Sequence, residues 1–107
     1  MRVRKIIEEV GGVLSIPPVG RQILVTLSST RRGMLIREIA DKTRRSERAV
    51  KLHLKRLHQH GLVIKTKIIT KAGRHAHVYR FPGIDRFLKS ARLELLRRAR
   101  RLRAMEA

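Results

Sequence analysis

At Gly61 the spacing of apolar residues changes, and that change constrains the fold more than any other feature of the chain. Before it, Val50, Leu54 and Leu57 recur at intervals of four and three, the period of a helix with one buried face. After it, Ile64, Thr66 and Ile68 alternate with Lys65 and Lys67, the period of a strand with one wet face. Lys71-Ala72-Gly73-Arg74 then reads as a polar turn, and His75 to Phe81 as a returning strand closed by Pro82-Gly83. The chain is therefore mostly α with a small β-hairpin, an α+β fold.

Helical spacing marks four further segments. Val3 to Val10 has apolar residues at helical intervals, and Gly11-Gly12 is expected to stop it. Pro17-Pro18 suits the mouth of the next helix, because proline is tolerated in a first turn. Ile23, Leu24 and Leu27 give that helix its buried stripe, and Met34-Leu35-Ile36 reads as a minimal edge strand. Ile36, Ile39 and Ala40 form the apolar face of a short helix ending near Thr43. Arg44-Arg45 makes the turn, and Ser46 is a good N-cap with Glu47 in the first turn of the helix that runs to Gly61. The last segment, Ile84 to Met105, is a long helix. A single domain is expected over residues 1–107, with an N-terminal helix and linker at 1–16, a central unit at 17–83 and the C-terminal helix at 84–107.

Charge narrows the function. The 107 residues hold 27 Lys and Arg against 8 Asp and Glu, a formal net charge of +19. Such a charge opposes compaction by self-repulsion, and an anionic partner relieves it. Residues 31–61 carry ten basic and three acidic groups, and residues 62–83 carry five basic groups and no acid. Nucleic acid is the commonest partner of a compact basic domain. A membrane surface would call for a basic amphipathic helix with an aromatic or leucine-rich face, which only the C-terminal segment approaches. With 0 Cys there are no disulfides and no thiolate metal sites. No apolar run is long enough to span a bilayer, and nothing after Met1 reads as a signal peptide. The expectation is a cytoplasmic, nucleoid-associated protein.

Helix, helix, tight turn, helix and basic hairpin is the order of a winged helix-turn-helix. Arg37-Glu38-Ile39-Ala40-Asp41-Lys42-Thr43 resembles the helix-turn-helix entry of ArsR- and MarR-like winged-helix regulators. Ser46-Glu47-Arg48-Ala49-Val50-Lys51-Leu52-His53-Leu54-Lys55-Arg56-Leu57 is similar to their recognition helix, and His60-Gly61-Leu62-Val63 to the stretch entering the wing. The resemblance covers about residues 17–83, and small archaeal winged-helix proteins of this size are similar too. It implies double-stranded DNA as partner, with helix 46–60 in the major groove and the wing at 71–77 on the flanking backbone or minor groove. The family's metal sensors use Cys or acidic and His clusters; this chain has no Cys.

The candidate DNA contacts are specific residues. Arg48 and Lys51 are expected at base edges, where both types pair with guanine acceptors. Arg44, Arg45 and Ser46 sit where phosphates meet a helix N-terminus. Leu52 either touches a thymine methyl or packs on the first helix, Lys55 extends the basic face, and His53 is expected to donate to a phosphate. In the hairpin, Lys65, Lys67, Lys71, Arg74 and His75 are expected on phosphates or in the minor groove, with Arg74 beside Gly73 at the tip. The bland reading of the same lysines is protection of an exposed edge.

The C-terminal helix admits three readings. Leu88, Ala91, Leu95, Ala99 and Leu102 run near a heptad period, so two copies would pair there as a homodimer, assisted by Ile6 and Val10. Alternatively the helix folds back with Phe87 and Leu88 filling a gap, or Arg97, Arg98, Arg100, Arg101 and Arg103 form a basic arm along DNA. The histidines do not suggest zinc: His53, His58 and His60 lack the spacing of ligands on one helical face. No catalytic pattern, phosphate loop or cofactor motif is present, so no enzyme activity is expected. The rival functions are a low-specificity nucleoid protein and a ribosomal or other RNA-binding winged helix. The near absence of aromatics argues against reading single-stranded RNA.

Overall fold

Two arginines from elsewhere in the chain decide where the first helix ends. In the computed structural model, which describes residues 2–106, α1 spans Val3–Leu14 and continues through Gly11-Gly12 rather than stopping there. The last carbonyls of a helix lack intrahelical partners. Here Arg21 donates to the Gly11 carbonyl at 3.0 Å and the Ile16 carbonyl at 2.7 Å, and Arg98 donates to the Leu14 carbonyl at 2.7 Å. Ser15, left-handed at φ 57°, closes the end. Met1 and Ala107, the ends of the expected 1–107 domain, lie outside the described residues.

α2 (Pro18–Ser28) starts on proline as its spacing suggested, and buries Ile23, Leu24 and Leu27 completely. Met34 does not open a strand. It makes a single bridge to Tyr79, with backbone hydrogen bonds of 2.8 and 2.9 Å, before α3 begins at Ile36. α3 (Ile36–Thr43) is braced at its start by Glu38, whose carboxylate accepts from the Leu35 amide at 3.0 Å and from Arg32 at 2.7 Å. α4 (Glu47–Gln59) follows a three-residue turn, Arg44 to Ser46, and buries Val50, Leu54 and Leu57. Gly61, at φ 72°, turns the chain out of it in a conformation that side-chain-bearing residues rarely adopt.

The hairpin pairs β1 (Ile64–Ile69) with β2 (His75–Arg80) antiparallel, Lys65 opposite Tyr79 and Lys67 opposite His77. Then α5 (Ile84–Ala104) returns to the body. Its Phe87 is fully buried and stacks at 5.0 Å on Phe81, so part of the fold-back reading holds; Leu88, 42% exposed, fills no gap. One hydrophobic core runs from Ile7 on α1 through Leu24 and Ile39 to Leu54 and Phe87. The five helices and two-stranded hairpin are consistent with a winged helix carrying a long C-terminal helix.

Candidate nucleic-acid interface

The turn between α3 and α4 is locked by its own backbone. Arg44 adopts a left-handed φ of 56°, and the Arg45 amide donates back to the Ala40 carbonyl at 3.1 Å. Thr43, buried, donates its hydroxyl to the Ile39 carbonyl at 2.7 Å. Ser46 then caps α4, its Oγ accepting from the Ala49 amide at 3.1 Å. That cap satisfies one of the orphan amides at the helix start. Together these bonds set the angle at which α4 leaves α3.

With Val50, Leu54 and Leu57 turned into the core, helical geometry turns Arg48, Lys51, Leu52 and Lys55 outward, and all four are exposed. Leu52, at 51% exposed, stands as the one apolar group in this row. Lys65, Lys67, His75 and His77 share one face of the hairpin with Tyr79, because their cross-strand partners alternate in register. Lys51 and Lys65 line an open cleft of about 430 Å³ between α4 and the hairpin, with Arg37, Glu47, His77 and Tyr79. Burial pushes the Tyr79 hydroxyl's pKa up, so it stays a neutral group there. Arg37 and His77 were not singled out from the sequence. Alternation along the strand puts His77 on the face of His75, whereas nothing local indicates that Arg37 faces the hairpin.

The tip of the hairpin holds Lys71, Arg74 and His75, all exposed. It is closed by the Thr70 amide donating to the Arg74 carbonyl at 2.8 Å, with the Thr70 hydroxyl accepting from the Arg74 amide at 3.2 Å. Arg44 and Arg45 are exposed at the turn. Among the described residues, none of Arg44, Arg45, Arg48, Lys51, Lys55, Lys65, Lys67, Lys71 or Arg74 is in a salt bridge.

His53, expected to donate to a phosphate, lies on the flank of α4, where its Nδ1 approaches Gly20 of α2 and it lines a cavity with Pro17 and Arg56. Burial, with Arg56 and Arg45 nearby, pushes its pKa below the usual imidazole value of 6.5. Among the described residues no group of three His, Asp or Glu side chains converges as a metal site would require.

The fold recurs in other proteins. No family model matches the chain, and no curated protein matches it. A solved structure from Methanosarcina mazei Go1, described as a possible transcriptional regulator, aligns with a TM-score of 0.72 over 92% of this chain and 84% of that one, at 13% identity. A protein from the thermoacidophilic archaeon Sulfolobus tokodaii aligns with a TM-score of 0.68 over 100% of both chains, at 22% identity. At such identities the likeness is one of fold.

The residues expected to pair two copies divide into two groups. Ile6, Val10 and Ala91 are each only 8% exposed and belong to the core of a single chain, so Ile6 offers no free face. Val10 and Ala91 instead floor an apolar groove of about 240 Å³ whose walls include Val13, Leu88 and Leu95. Leu88, Leu95, Ala99 and Leu102 are exposed, and from Leu95 to Glu106 every residue except Arg98 is exposed. The basic-arm reading loses two of its members. Glu94, 4% exposed, accepts from Arg97 at 3.1 Å and Arg98 at 2.8 Å, and His60 lies 3.1 Å from the same carboxylate. Nothing in the local pattern marks Glu94 as buried; only the approach of α4 and α1 makes it so. No helix among the described residues is long and apolar enough to cross a membrane.

Proposed function

We propose that this chain binds double-stranded DNA and acts as a transcription regulator, as a homodimer. One observation carries the reading. Lys51 of α4 and Lys65 of the hairpin line two clefts between those elements, Lys55 joins them in the second, and these three with the exposed Arg48 and Lys67 are free of ion pairs among the described residues. Holding so many like charges together costs self-repulsion that a polyanion removes. In this reading α4 enters the major groove, whose width admits a helix, and the hairpin tip at Lys71, Arg74 and His75 meets the flanking backbone or minor groove.

Each residue then has a role. Arg48 and Lys51 face base edges, and Leu52 supplies an apolar contact for a thymine methyl. Arg44, Arg45 and the Ser46 cap meet phosphates. The exposed Leu88, Leu95 and Leu102 of α5, continuous with the groove over Val10 and Val13, bring a second copy against the first. Dimerisation would set two reading helices about one turn of DNA apart. The description of the Methanosarcina mazei structure as a possible transcriptional regulator supports the same role.

The test is selection of bound duplexes from a random pool at physiological salt, with folded RNA as competitor. Recovery of one near-palindromic site is the expected result. Tight binding with no enriched sequence would replace regulation with a nucleoid role, and preferential capture of the RNA would overturn both.

A further inference from the structure

Gln22 stands apart from the sequence pattern of α2. It is an exposed polar residue in a helix whose neighbouring Ile23 and Leu24 fill the core, yet its amide is engaged at both ends. Its Nε2 donates to the Thr43 carbonyl at 3.0 Å, at the end of α3. Its Oε1 accepts from the Arg45 Nε at 3.2 Å, across the α3–α4 turn. The orientation of the amide is fixed by chemistry: a backbone carbonyl only accepts and a guanidinium only donates, so the flipped amide would lose both bonds.

We propose that Gln22 is a positioning residue for DNA binding, holding Arg45 so that it presents its two terminal nitrogens to a backbone phosphate. The inference rests on the DNA-binding reading and deepens it. An unrestrained arginine on a turn samples many rotamers, and ordering it at the moment of binding costs conformational entropy. With Nε taken by Gln22, the guanidinium keeps both Nη groups free, and their parallel N–H bonds match the spacing of two phosphate oxygens. The Thr43 carbonyl anchors the amide from behind, while the left-handed Arg44 and the Arg45-to-Ala40 backbone bond hold the turn itself. Side chain and backbone of Arg45 are thus restrained from different elements, α2 and α3. Gln22 makes no claim on the nucleic acid; it acts through Arg45.

The experiment is a double-mutant cycle on the full chain, titrating a short duplex at physiological salt. Gln22→Met keeps length and helix propensity but loses both hydrogen bonds, and it should weaken binding about fivefold, the weight of a single such bond. Arg45→Ala should weaken binding and lower the log–log salt slope by about 1. In the Arg45→Ala background, Gln22→Met should then have no further effect. Equal losses on both backgrounds, or unchanged affinity for Gln22→Met, would overturn the proposal. Far-UV circular dichroism confirms folding of each variant, and Gln22→Ala repeats the cycle should the methionine pack differently. A wild-type chain that fails to bind duplex DNA would instead remove the reading beneath it.

Discussion

Glu94 of α5 is buried against His60 at the end of α4, with Oε1 3.1 Å from Nδ1. The same carboxylate holds Arg97 and Arg98, and Arg98 reaches on to the Leu14 carbonyl at 2.7 Å. One acid therefore ties the C-terminal ends of α1 and α4 to the middle of α5. In a chain with 8 acidic residues and 27 basic ones, an acid placed there has a large electrostatic role.

Glu94→Gln should destabilise the fold by roughly 2 kcal/mol, since it strands charges around a buried site; Arg97 at 51% exposure softens the loss through solvent. Urea unfolding of the two proteins measures it. A change within a few tenths of a kcal/mol would show that the network holds nothing together.

Stability should also depend on acid through this residue. Burial raises the Glu94 pKa, but hydrogen bonds from Arg98 and Arg97 and the charges of His60 and Arg98 outweigh it, holding the carboxyl below its usual 4.5. The unfolded chain then takes up the proton first. Stability from this group is complete above about pH 4.5 and is lost as the pH falls through the lower folded value. Melting temperatures across that window should fall more steeply for the wild type than for Glu94→Gln. Parallel curves would assign the acid transition to other groups, of which Glu38, paired with Arg32, is the first candidate.

Arg48→Glu with Lys51→Glu should leave the far-UV spectrum unchanged, as both residues are exposed and free of hydrogen bonds to the core. It should weaken duplex binding about a hundredfold or more by replacing two cations with two anions. Retained affinity in a fluorescence titration would move the DNA site off α4.

The two glycines of α1 should respond oppositely to alanine. Nothing lies within 4 Å of a Cβ built on Gly12, so Gly12→Ala should add about 0.5–1 kcal/mol of stability from helix propensity. On Gly11 the same Cβ would meet the Arg21 Nε at 2.6 Å and displace the side chain that caps the helix. Gly11→Ala should lower the melting temperature, and a rise in both variants would show that Arg21 relocates at no cost.

Leu95→Arg with Leu102→Arg should convert a dimer to a monomer in sedimentation velocity while leaving helicity intact, because both side chains are exposed on a single chain, at 44% and 65%. A wild-type chain that sediments as a monomer at micromolar concentration would end the dimer reading before the variant is made.

Much of this was legible in the sequence because the spacing of apolar residues reports which side of an element is buried, and that is a local property. Val50, Leu54 and Leu57 fixed the inner face of α4, so its outer face, with Arg48, Lys51 and Lys55, followed from helix geometry alone. The Ser46 cap and the turn at Gly61 were equally local, since each depends on backbone conformation within a few residues. What only the tertiary structure decided depends on groups distant in sequence. Gly11-Gly12 was expected to end α1, but Arg21 and Arg98 satisfy its carbonyls and let it run to Leu14. His53 sits against Gly20 because α2 covers that flank of α4, and Ile6 joined the core because α1 packs on α2 and α5. Glu94 and Gln22 looked like ordinary surface residues. Their partners lie on other elements, and a hydrogen bond a few ångströms long forms only once packing has brought those elements together.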